Sequence, residues 1–172
     1  MELWRAGDDV VAAIPALTEA LVDSDVEVQV GAAELLGRCG GKAAAAVPTL
    51  IGILADRHAH GFVRMTVIMT LGEIGPAATS AAPALIDTLG DSSMCTDAVR
   101  ALVAIGDTAM PALVRALRHG QPTIRLGAAY VLGSLGDASV VASLVEILED
   151  PDEGVRRAAA EALVSIRNRL TK

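Results

Sequence analysis

The sequence repeats itself about every 31 residues, and this period limits the folds that are open to the chain. Each copy has an apolar stretch with two leucines four residues apart, a polar turn and a second apolar stretch. The first leucines of the five copies are Leu17, Leu50, Leu85, Leu113 and Leu144. Such a period is typical of a stacked solenoid, in which each unit buries its apolar face against its neighbours.

Proline marks where the first apolar stretch begins in four of the five copies. Pro15, Pro48, Pro83 and Pro111 each stand two residues before the first leucine. Because proline has no N–H, it is tolerated mainly in the first turn of a helix. These prolines therefore predict the start of a first helix in each of the four copies.

The second apolar stretch has a helical pattern that aligns in all five copies. Apolar residues recur four, eight and eleven positions after an apolar opener, which traces one face of a helix. Counting the opener as position 0, the five openers are Val28, Val63, Met94, Ile124 and Val155. Gly40, Gly75, Gly106 and Gly136 follow the last apolar position, and we expect them to end the helices with positive φ. The glycines are predicted to lie at helix ends and to need no other role.

These patterns predict one all-α domain, a right-handed superhelix of about five two-helix repeats. The predicted repeats span about 10–40, 43–75, 78–106, 107–136 and 137–167. Residues 1–9 are predicted to form a partial N-terminal cap, with Trp4 covering the end of the core. Whether the chain is one segment of a longer repeat array stays open.

Composition and charge argue against several classes of function. Apolar residues make up 52% of the chain and aromatic residues only 2%, so the core is aliphatic. No uninterrupted apolar stretch reaches the length of a membrane span, and the first eleven residues lack a secretory signal, so a cytoplasmic protein is expected. The net charge of −7 falls within residues 1–34, and the other residues balance. A nucleic-acid binder needs a basic stripe instead, so no nucleic acid and no membrane is predicted as partner.

The chemistry-bearing residues give no legible catalytic set. Cys39 and Cys95 lie two repeats apart, too far for a disulfide, and are interpreted as reduced packing residues. Asp56, His58 and His60 share one turn with ligand-like spacing, but metal sites usually need three or four convergent ligands, and His119 lies two repeats away. A solvated turn is the better interpretation, and no metal or cofactor is predicted.

The repeats resemble the HEAT family, and most closely its short bacterial subtype named after phycobilisome lyases. Residues 148–163 carry the fullest match, and the resemblance covers about residues 10–167. It implies a ladder of hydrogen bonds between a turn Asp and an Arg one position after the opener. Because Cys95 stands at that position in repeat 3, the ladder and the curvature are expected to change there. HEAT-like enzymes exist, such as deoxyhypusine hydroxylase, but this chain lacks the His-Glu pairs that its metal site uses.

The few large side chains fall on one predicted surface. In the HEAT family the second helices line the concave face, and positions −1, +2, +3 and +6 point away from the core. We expect a partner-binding patch there, formed by Phe62, Met65, Met69, Arg100, Leu126 and Tyr130. Aromatic, Met and Arg side chains concentrate interface energy. The alternative is that position +6 packs between repeats and is only half exposed.

The predicted function is therefore a non-catalytic scaffold or adaptor that binds a protein or peptide partner on its concave face. The alternative, which the subtype resemblance implies, is a bilin-lyase-like or chaperone-like subunit that acts with a second HEAT-like chain.

Overall fold

A computed structural model describes residues 8–171, and within this range the chain forms ten α-helices and no β-strand. The helices are α1 (Asp8–Ala20), α2 (Val26–Arg38), α3 (Val47–Ala55), α4 (Gly61–Ile74), α5 (Ala82–Thr88), α6 (Cys95–Ile105), α7 (Met110–Ala116), α8 (Pro122–Leu135), α9 (Val141–Glu146) and α10 (Glu153–Leu170). The short 3₁₀ segments that precede α3, α5, α7 and α9 are Gly40–Ala46, Gly75–Ala81, Gly106–Ala109 and Ala138–Val140. A further 3₁₀ turn, Ile147–Glu149, follows α9.

The helices pair in sequence and the pairs stack in order. Each odd-numbered helix packs on the even-numbered helix that follows it, and α2, α4, α6, α8 and α10 pack on one another in series. This arrangement confirms an all-α solenoid of five two-helix repeats. Most of the predicted N-terminal cap, residues 1–7 with Trp4, lies outside the described residues, while Asp8 and Asp9 belong to α1.

The core is a continuous aliphatic seam between the two layers of helices. Leu50, Leu85, Leu113 and Leu144 from the first helices are fully buried, whereas Leu17 is half-buried. The largest fully buried side chains from the second helices include Leu36, Leu71, Leu102 and Leu132. Such burial contributes roughly 25 cal/mol per Å² of apolar surface, which is the main force that holds the stack together.

Proline stands at the start of the first helix in repeats 2, 3 and 4, but not in repeat 1. Pro48, Pro83 and Pro111 lie in the first turns of α3, α5 and α7. Pro15 instead lies inside α1, so the predicted helix start there is wrong. Val11 and Pro15 are both exposed, so the carbonyl that loses its helical partner can bond to water.

Three of the four predicted glycine ends adopt positive φ, and one does not. Gly40, Gly75 and Gly106 have φ of 56°, 69° and 79°. Gly136 has φ −62° and ψ 152°, so this prediction was wrong. The guanidinium of Arg169 donates to the carbonyl of Gly133 at 2.7 Å and of Gly136 at 2.5 Å. Because this side chain satisfies the end of α8, the chain can leave in an extended conformation.

Candidate functional site

The predicted patch residues lie on second helices and are largely accessible. Phe62, Met69 and Tyr130 expose 51%, 52% and 56% of their surface. Arg100 is also exposed, while Met65 and Leu126 are half-buried. These six residues, at positions −1, +2 and +6 of α4, α6 and α8, are called the second-helix surface below. All five residues at position +6 are exposed, so this column is not buried between repeats.

Position +3 was expected to face outward, and this prediction is wrong for most repeats. Thr66 and Ala158 are only 6% and 8% exposed, and Gly127 is buried. A Cβ built on Gly127 would lie 3.1–3.2 Å from the side chain of Leu89, which belongs to the preceding repeat. Position +3 therefore faces the neighbouring repeat rather than the solvent.

The second helices approach one another closely through a column of glycines at position +9. A Cβ on Gly72 would lie 3.0 Å from the Cα of Ala101, and one on Gly133 would lie 2.8 Å from the Cα of Ala162. Both partners occupy position +7 of the next repeat. These glycines lie within α4 and α8, so the expectation that glycines serve only at helix ends was wrong.

The column changes at the junction between α6 and α8. Val103 occupies position +9 where Gly72 and Gly133 stand in other repeats, and Val131 occupies position +7 of the next repeat. Two β-branched side chains need more room than a glycine and an alanine, so the two helices cannot approach as closely. Of the contacts between successive second helices in residues 8–171, that between α6 and α8 is the smallest.

A cleft of about 570 Å³ opens at this junction. Its lining consists of Cys95, Thr96, Val99, Arg100, Val103, Ala104, Leu126, Gly127 and Tyr130. The structure thus brings together three predicted residues, Arg100, Leu126 and Tyr130. The other three, Phe62, Met65 and Met69, lie on the neighbouring helix α4 and outside this lining. Val99 and Val103 line the cleft but were not among the predicted residues, and the sequence signal for Val103 is its departure from the glycine column.

The cleft offers one charged group and a weakly acidic thiol. Burial raises the pKa of the Cys95 thiol, which keeps it in the neutral and poorly nucleophilic form. Burial is also the main cause that raises the pKa of the Cys39 thiol. Both cysteines are free and half-buried.

The predicted interruption of the hydrogen-bond ladder at repeat 3 stays a prediction, because among residues 8–171 the one Arg–Asp pair of the ladder lies between repeats 4 and 5. The guanidinium of Arg125 donates from Nε to Asp150 Oδ2 at 2.7 Å and from Nη2 to Oδ1 at 2.8 Å, which links repeats 4 and 5. Arg64 donates to the carbonyl of Leu54 within its own repeat. Among residues 8–171 no side-chain hydrogen bond joins Cys95 to a turn aspartate. The expected change of curvature at this repeat stays a prediction.

The residues with ligand-like spacing are engaged in their own turn. Oδ1 of Asp56 accepts a hydrogen bond from the backbone N–H of His58 at 2.9 Å. Nδ1 of His60 accepts one from the N–H of Phe62 at 3.3 Å and so caps α4. Within the described part of the chain, no three His, Cys, Asp or Glu side chains come close enough to hold a metal ion. None of the helices in that part is long and apolar enough to cross a membrane.

These features define the class of the protein as an α-solenoid of stacked helical pairs that carries an exposed surface on its second helices. The family profile described as HEAT repeats matches residues 14–94 and 96–166. The chain therefore belongs to the HEAT-repeat family.

Comparison with solved structures supports the same fold. The chain is 23% identical to an engineered protein, with 95% of this chain and 90% of the other covered and a TM-score of 0.55. It is 24% identical to a chain of the complex of CpcE and CpcF of phycocyanin lyase from Nostoc sp. PCC7120. That match covers 92% of this chain and 66% of the other, with a TM-score of 0.56. No curated protein sequence matches the chain significantly.

Proposed function

We propose that the chain is a non-catalytic scaffold or adaptor that binds a segment of a protein partner along the second-helix surface. The observation that carries the proposal is the cleft between α6 and α8, which adjoins Tyr130 and Arg100. An aromatic ring and a guanidinium beside an apolar cleft are the side chains that concentrate binding energy in interfaces. Met65 and Met69 extend the surface on α4 with flexible side chains that adapt to a partner.

The chemistry of the cleft suggests the kind of segment that fits it. Val99, Val103 and Leu126 provide an apolar lining for one aliphatic or aromatic side chain of the partner. Arg100 is exposed at the edge, where its planar guanidinium suits a carboxylate on a neighbouring residue of the same segment. The proposed partner segment therefore carries an apolar anchor beside an acidic residue.

A non-catalytic role agrees with the properties of the Cys95 thiol in the cleft. Covalent catalysis by Cys95 requires the thiolate, whereas burial raises the pKa of this thiol and favours the neutral form. Arg100, the charged group in the lining, offers hydrogen-bond donors and no acceptor, which suits the binding of an anion.

The test is partner capture by the double variant Phe62→Ala/Tyr130→Ala. The immobilised chain is incubated with extract of the native organism, and captured proteins are quantified by mass spectrometry. Loss of two interface aromatics at roughly 1–2 kcal/mol each should weaken capture about 30-fold or more. Because both side chains are half exposed or more, thermal unfolding should change little.

The matched control is Val22→Ala/Val145→Ala. These two residues expose 69% and 50% of their surface but lie outside the second-helix surface. The control variant should capture the partner as the wild type does. Equal capture by the Phe62/Tyr130 variant and the wild type would remove the proposal, and so would a collapse of stability in that variant.

A second candidate is a subunit of a lyase that acts with another HEAT-like chain. Its support is the similarity to the complex of CpcE and CpcF over 92% of this chain. Adding a linear tetrapyrrole to the purified chain, alone and with a second HEAT-like chain from the same organism, distinguishes the two candidates. A shift of the visible absorption of the tetrapyrrole supports the hypothesis of a lyase subunit. An unchanged spectrum, both with the chain alone and with the second chain present, removes this hypothesis.

A further inference from the structure

One rung of the hydrogen-bond ladder is closed, and another is open. Arg125, at position +1 of repeat 4, binds both carboxylate oxygens of Asp150 in repeat 5. Arg64 stands at position +1 of repeat 2. Asp91 stands six residues after the first leucine of repeat 3, as Asp150 does in repeat 5. Among residues 8–171, however, no ion pair joins Arg64 to Asp91, so the rung between repeats 2 and 3 is open.

The direction of the Arg64 guanidinium explains the open rung. In the closed rung, Nε of Arg125 donates to Asp150. In the open one, Nε of Arg64 donates at 3.3 Å to the carbonyl of Leu54 in its own repeat. The turn before Arg64 is also longer, because nine positions lead from Leu54 to the opener Val63, against seven in repeat 4. The arginine is thus held within repeat 2.

A cavity of about 660 Å³ lies where the rung is open, and four charged side chains line it. Arg64 keeps both terminal nitrogens without a hydrogen bond in the described part of the chain. Oδ1 of Asp91 accepts from the N–H and the hydroxyl of Ser93, while Oδ2 has no partner in that part. These bonds are the main cause that lowers the pKa of Asp91, and the charge of Arg64 lowers it further. Arg57 and Asp87, the other two charged residues of the lining, are exposed and make no hydrogen bond to residues 8–171.

An occupant of this cavity must match both signs of charge. A plain anion would be repelled by Asp87 and Asp91, and a plain cation by Arg57 and Arg64. A zwitterion meets neither penalty, because its carboxylate can take paired hydrogen bonds from a guanidinium while its ammonium donates to a carboxylate. The cavity also has the size of small-molecule sites, which is roughly 300–1,000 Å³.

We propose that this cavity binds a free α-amino acid, with its carboxylate on the terminal nitrogens of Arg64 and its ammonium on Oδ2 of Asp91. An α-amino acid carries its two charges on groups attached to the same carbon, which suits a guanidinium and a carboxylate that lie near each other without pairing. The ligand completes the open rung in place of a direct ion pair. The site shares no lining residue with the α6–α8 cleft, so it goes beyond the proposed function.

The test follows the amide signals of the isotope-labelled chain by NMR while each of the standard L-amino acids is added to about 10 mM. At least one amino acid should shift the signals of Gly90, Asp91 and Ser92 in a saturable way. Its analogues without the ammonium group or without the carboxylate should bind at least about tenfold more weakly, because each leaves charges of the lining unmatched. Absence of binding by every amino acid overturns the proposal, and so does equal binding of either analogue.

The variant Asp91→Asn keeps the side-chain shape and an oxygen that accepts the bonds from Ser93, so the turn should fold as before. It should weaken binding of the amino acid at least about tenfold. The control is Asp107→Asn, which removes the same charge from an exposed residue outside the lining and should leave the affinity unchanged.

Unchanged affinity of Asp91→Asn overturns the proposal. If thermal unfolding shows that this variant does not fold, Asp87→Asn decides, because that carboxylate bonds to no residue in the range 8–171. Weaker binding by Asp87→Asn supports the site, and unchanged binding overturns it. Partner capture by the second-helix surface is measured separately, so either result leaves the other standing.

Discussion

Two ion pairs join repeats 4 and 5, and they differ in how far their side chains are exposed to solvent. The side chains of Arg125 and Asp150 are only 12% and 7% exposed, and their hydrogen bonds are bidentate. The side chains of Arg118 and Glu146 are 70% and 59% exposed. An exposed pair is screened by water and salt, so it contributes roughly 0–1 kcal/mol, whereas breaking a buried one leaves a charge without its partner.

We predict that Asp150→Asn lowers the free energy of unfolding by about 2–3 kcal/mol, because the Arg125 guanidinium loses its bidentate partner. The matched variant Glu146→Gln breaks the exposed pair. It should change the free energy of unfolding by no more than about 0.5 kcal/mol. Urea unfolding at neutral pH measures both values. Equal effects of the two substitutions would contradict the prediction.

The buried pair of Arg125 and Asp150 also predicts how the stability of the fold depends on pH. The hydrogen bond from Arg125 is the main cause that holds the pKa of the Asp150 carboxyl below its ordinary value. Since the folded-state pKa lies below the unfolded value of about 3.9, the stabilisation is complete above that value. It is lost as the pH falls through the folded-state pKa. The difference in unfolding free energy between the wild type and Asp150→Asn should therefore narrow in acid, and a constant difference would contradict this.

At the scale of helices, replacing each of two glycines with alanine should change the stability of the fold in opposite directions. Within α8, a Cβ on Gly133 would lie 2.8 Å from the Cα and 2.9 Å from the Cβ of Ala162, so the helices must separate. Within α2, a Cβ on Gly31 meets nothing within 4 Å. We predict that Gly133→Ala destabilises by about 1–3 kcal/mol, and that Gly31→Ala stabilises by up to about 1 kcal/mol. Thermal unfolding of both variants checks the signs, and stabilisation by Gly133→Ala would refute the close packing.

The sequence was sufficient to predict the helices and their buried faces. Local spacing determines which residues share a helix face, so the burial of positions +4 and +8 and the exposure of position +6 could be predicted from periodicity. The burial of position +3 could not be predicted in this way, because it depends on how each helix is rotated against the next repeat. That rotation is set by contacts such as Gly72 with Ala101. The glycine column and its replacement by Val103 are visible in the sequence, but only the stack reveals what they pack against.

Within residues 8–171, the α6–α8 junction is the smallest contact between successive second helices. In a solenoid each repeat contacts only its neighbours, so stability is close to a sum of repeat and junction terms. At this junction the glycine contact is replaced by Val103 and Val131, and Cys95 replaces the arginine of the ladder. Cooperativity between repeats 3 and 4 should therefore be weaker than between repeats 2 and 3.

We predict that the chain opens as two units, residues 8–106 and 107–171, when hydrogen exchange is followed at increasing urea. Amides in the middle of α4 and α6 should share one opening free energy, because the tight junction couples these helices. Amides in α8 and α10 should share a different one, since little coupling passes through the α6–α8 contact. A single opening free energy for all four helices would show that the cleft forms without weakening the junction. The cleft would then be a feature of the surface and not a break in the stack.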